Sequence, residues 1–79
     1  MTSHKLLHAI GPSDLTGYFE FLDELRESGK TNMFGAARFL ADHFTGMSLV
    51  EARTVLVAWQ DTFSTTLPAE DRADAALTA

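Results

Sequence analysis

Two histidines four residues apart, His4 and His8, would present both imidazoles on one face of a helix, the spacing used by paired metal ligands. No carboxylate or third ligand stands near them in the sequence, so no metal site is expected from this pair. Glu20, Asp23, Glu24 and Glu27 form a denser set. They could act as general acids and bases, or as ligands for a hard cation, if they converged in a desolvated cleft. Helical spacing spreads them instead over an outward face, where water solvates them and no concave pocket forms. Ser48 and Thr31 read as helix caps rather than nucleophiles, and His43 as a surface or interface residue. No glycine-rich phosphate loop is present. The expectation is a non-enzymatic chain with no catalytic residue, cofactor or metal.

The elements that must carry these residues are helical. Ser48 and Glu51 form an S-x-x-E capping box, in which the serine hydroxyl accepts from the Glu51 N–H and the Glu51 carboxylate reaches back to the Ser48 N–H. A helix therefore starts near Leu49 and runs to about Phe63, with Leu49, Ala52, Val55, Leu56, Trp59 and Phe63 along one stripe. Gly46 suits the left-handed turn that closes the preceding helix, which is expected from a cap at Thr31 or Asn32 to about Phe44. That helix would bury Met33, Phe34, Ala37, Leu40, Ala41 and Phe44, with Arg38 and Asp42 paired on its outer face. An earlier helix spans about Asp14 to Ser28, capped by Ser13 or Asp14 and stopped by Gly29, with Leu15, Tyr18, Phe19, Leu22 and Leu25 facing inward.

These spans imply an all-α, compact three-helix bundle over residues 13–64, with a helix-turn-helix-like second and third helix. Residues 1–12 form an N-terminal arm that would dock only through Leu6, Leu7 and Ile10. Residues 65–79 are expected to be a tail, or a short Ala-rich helix opened by Pro68, too poor in large apolar side chains to be held firmly.

Composition bounds the function. A chain of 79 residues supports one small core. Having no cysteine, it can form neither disulfides nor thiolate metal sites. A hydrophobic fraction of 46% with six Phe is too apolar for a disordered chain. Its longest apolar run, Val55 to Trp59, is far short of the roughly 20 residues of a membrane span. A cytoplasmic protein with no membrane partner is the expectation. Eleven acidic against six basic residues give a net charge of −5, concentrated between Asp14 and Glu27, and this field repels nucleic acid.

Some apolar residues remain after the three core stripes are filled. Val50 and Val57 lie roughly 150° from the main stripe of their helix, while Phe21 and Phe39 lie about 80° or more off centre on theirs. A contiguous apolar patch on a small chain marks a contact surface, and burying such side chains is worth about 1.5 to 3 kcal/mol each. Val50, Val57, Phe39 and Phe21 are therefore the expected interface of a protein–protein interaction module, most simply a homodimer, with another protein as the alternative partner. A bland alternative has the two termini folding back over them.

Two other functions are compatible with parts of the sequence. Leu40, Ala41, Phe44, Gly46, Met47, Ala52 and Val55 resemble the packing positions of DNA-binding helix-turn-helix units, in which Arg53 and Arg38 would be the nucleic-acid contacts. The match is imperfect, since Asp42 falls where a small side chain is needed for the helices to cross. Alternatively, the acidic first helix could mimic nucleic-acid phosphate and block a basic host protein. Finally, the run Ser28-Gly-Lys-Thr-Asn-Met-Phe-Gly-Ala-Ala, followed by Phe39-Leu, Phe44, Glu51-Ala-Arg, Val55-Leu and Trp59, resembles a group of small uncharacterised helical proteins from bacteria and their phages. The resemblance covers roughly residues 18 to 63. It implies a compact helical domain and no assigned activity.

Overall fold

The computed structural model describes residues 10–29 and 35–78, and these hold four helices and no strand. They are α1 (Pro12–Ser28), α2 (Ala36–His43), α3 (Leu49–Thr62) and α4 (Ala69–Thr78). The expected all-α class is therefore found, but with four helices in place of three. Thr31 and Asn32, expected as caps, Met33 and Phe34, expected in the core, and the His4 and His8 pair lie outside the described residues.

α1 begins two residues earlier than the periodicity indicated. Pro12 opens the helix with Gly11 as N-cap, because the first helical position needs no N–H and favours the proline φ. Gly29 ends it in the left-handed conformation at φ 66°, its N–H donating to the Arg26 carbonyl. Leu15, Phe19, Leu22 and Leu25 are buried as the stripe requires, and Tyr18 packs half-buried beside them. α2 is described from Ala36, with Gly35 at its N-cap position, and buries Ala36, Ala37 and Leu40. Gly46, at φ 89°, carries the turn into α3.

At the head of α3 the Ser48 hydroxyl accepts from the Glu51 N–H at 3.1 Å, one half of the expected box; the reciprocal bond is not made. Ala52, Val55, Leu56 and Trp59 lie inside, whereas Leu49, expected in the core, is 36% exposed on the rim. Arg38 and Asp42 form no ion pair.

The fourth helix lies in the segment expected to be a tail or a short Ala-rich helix: Pro68 accepts from the Arg72 N–H at 3.1 Å, and α4 packs along both α1 and α3. Its buried face is Ala69, Ala73 and Ala76, with Arg72 among them. Alanines bury little area, but they let two helix axes approach closely, so the backbone of α4 lies near enough to α1 for a side chain of α1 to be caught. α1 touches all three other helices, while α2 and α4 do not meet among the described residues.

Candidate functional site

Two regions of the described residues bring the candidate side chains together. One is a polar cluster between α1, α3 and α4; the other is the outer surface of α2 and α3.

In the polar cluster, Arg72 is buried to 3% exposure and aims its guanidinium at Asp23. Nη1 donates to Oδ1 at 3.1 Å and Nη2 to Oδ2 at 2.5 Å, the two-pronged geometry that matches a guanidinium to a carboxylate. The third Arg72 bond runs from Nε to the Leu67 carbonyl at 3.0 Å. Trp59 adds its indole N–H to Asp23 Oδ1 at 2.9 Å. Both Asp23 oxygens thus accept hydrogen bonds, and the carboxylate ties α1 to α3 through Trp59 and to α4 through Arg72. Phe63 closes one side, its ring 5.0 Å from that of Trp59, with the Arg26 guanidinium 4.7 Å and the Arg72 guanidinium 5.8 Å from its centroid.

Asp23 therefore leaves the solvated acidic face on which its spacing placed it. Glu20, Glu24 and Glu27 remain there, exposed. The missed signal was Arg72 itself. Positions 69, 72, 73 and 76 form one helical stripe, and an arginine in the middle of an alanine face needs a buried acid to receive it.

The expected interface residues separate into two groups. Val50 is 63% and Val57 44% exposed, seven residues apart on the outer face of α3, with Arg53 exposed between them. They form a short ridge. Phe39 is 41% exposed on α2 and Phe21 is half-buried on α1. These two line an open groove of about 320 Å³ with Leu25, Asp42 and His43, all of these described residues drawn from α1 and α2. His43 stacks on Phe21 with ring centroids 4.5 Å apart, and Phe44 meets both rings edge-on. Glu24 borders an adjoining depression that shares Phe21, Leu25 and His43. Tyr18 packs edge-on against Phe44 at 4.7 Å. Its phenol is pushed above the usual range by burial, with the carboxylates of Asp14 and Glu51 adding to the rise.

Arg38 and Arg53, the alternative nucleic-acid contacts, are both exposed. Among the described residues no group of three or more His, Asp or Glu side chains could hold a metal ion. Nor is any described helix long and apolar enough to cross a membrane.

Fold and site together define a small all-α domain closed by an internal ion-pair clamp and carrying an apolar ridge and groove on its outside. Comparison with models of protein families, with curated proteins and with solved structures finds no match.

Proposed function

We propose that this chain is a non-catalytic protein–protein interaction module that associates with copies of itself. The observation that carries the reading is the exposure of Val50 and Val57 once the four helices of the described residues have packed, the C-terminal one included. The alternative cover for these valines was a fold-back of both termini; of these, α4 packs against α1 and α3, and residues 1–9 lie outside the described residues. Solvated helix faces favour Lys, Glu or Ala, and a β-branched residue costs about half a kcal/mol relative to alanine there. Two valines stacked on such a face gain only if something covers them.

The competing readings have less support. A nucleic-acid contact would rely on Arg38 and Arg53 within a chain of net charge −5, and Arg72 is spent internally. An acidic phosphate mimic built on α1 loses Asp23 to the clamp.

The test is the solution mass as a function of concentration. Size-exclusion chromatography with light scattering should show a mass above one chain at high micromolar concentration, returning to one chain on dilution. A mass of one chain throughout would overturn the reading.

A further inference from the structure

Association through a single patch would place the ridge of one copy against the ridge of another across a two-fold axis. The midpoint of Val50 and Val57 falls between Arg53 and Thr54, so that axis would bring the two Arg53 guanidinia together. Like charges at the centre of a contact oppose it. The molecule carries a better receiver for the ridge. The groove between α1 and α2 has an apolar lining of Phe21, Leu25 and Phe39, and acids at its margin, Asp42 within it and Glu24 beside it. Both acids are exposed, and neither forms an ion pair within the described chain. Ridge and groove are thus complementary in chemistry: two valines flanking a cation on one side, aromatic rings flanked by carboxylates on the other.

We infer that copies of this chain associate head to tail, the Val50–Arg53–Val57 ridge of one seated in the Phe21–Phe39 groove of the next, with Arg53 directed to Asp42 and Glu24. This rests on the self-association proposed above and specifies its mode. Because ridge and groove belong to different helices, each copy in such a contact keeps one free ridge or one free groove, and growth continues beyond two unless the rotation closes a ring.

A complementation experiment decides it. Val50→Asp/Val57→Asp disables the ridge and Phe39→Asp disables the groove, all at exposed positions, with circular dichroism checking that both variants stay folded. Each variant alone should be monomeric at concentrations where the wild type associates. An equimolar mixture should form a complex of two chains and no larger, since one intact ridge meets one intact groove. Arg53→Glu should weaken wild-type association about tenfold, and Asp42→Arg added to it in the same chain should restore most of the loss.

A mixture that stays monomeric, or a Phe39→Asp variant that associates as the wild type does, overturns the head-to-tail mode while leaving self-association standing. A groove filled from within the same chain would leave the wild type monomeric and make Phe39→Asp less stable, removing both.

Discussion

The outward flank of α1 and the outward face of α3 look alike in the sequence, each a helix side set apart from the core stripe, yet they end in opposite environments. Asp23 is drawn into a clamp with Arg72 and Trp59, whereas Val50 and Val57 remain in water. Polarity alone would place them the other way round. The difference lies in what the rest of the chain supplies. α4 brings a buried cation to Asp23, whose desolvation has to be offset by a carboxylate, while the packing of the described helices leaves both valines exposed. Burial is decided by the availability of a partner as much as by the character of the side chain.

The sharpest way to break this comparison is to remove Asp23. Asp23→Ala leaves a buried guanidinium and an indole N–H without their acceptor. It should cost about 2 to 4 kcal/mol, somewhat below the range for fully buried pairs because a third of the Asp23 side chain is exposed. Adding Arg72→Met should recover much of that loss by removing the stranded charge. Urea denaturation followed by circular dichroism reads both, and an Asp23→Ala variant as stable as the wild type would mean that the clamp does not hold α4.

A smaller effect is expected from widening the α4 contact. Ala73 is 1% exposed on the alanine face, so Ala73→Leu forces the helices apart and should lower stability by about 1 to 3 kcal/mol in the same assay. A neutral result would indicate slack in that seam.

The smallest effect belongs to the other half of the comparison. Val50→Ser and Val57→Ser should each shift stability by no more than about 0.5 kcal/mol, because neither side chain packs in the core. Both should nevertheless reduce the concentration-dependent mass. A loss of thermal stability as large as that of Ala73→Leu would show the valines to be covered.

Much of the fold was legible because it depends on neighbours in the chain. The stripe from Leu15 to Leu25, the cap at Ser48, and the glycines at 29 and 46 depend on helical period and on backbone geometry, both local properties. The exposure of Val50, Val57 and Phe39 was legible for the same reason, as residues beyond what the core stripes could use. The α4 helix was undervalued because its anchoring does not resemble a hydrophobic stripe. Ala69, Ala73 and Ala76 act by permitting close approach, and that value exists only opposite a matching surface.

By itself, then, the sequence determined the core stripe of α1, the start of α3 at Ser48 and the glycine stops at 29 and 46, since these follow from spacing along the chain. Only the tertiary structure decided that Asp23 joins Arg72 across 49 residues and Trp59 across 36, and that Phe21 and Phe39 share a groove separate from the valine ridge. Such pairings are set by how whole helices cross. A salt bridge or a groove between helices takes its energy from distances that no local pattern encodes.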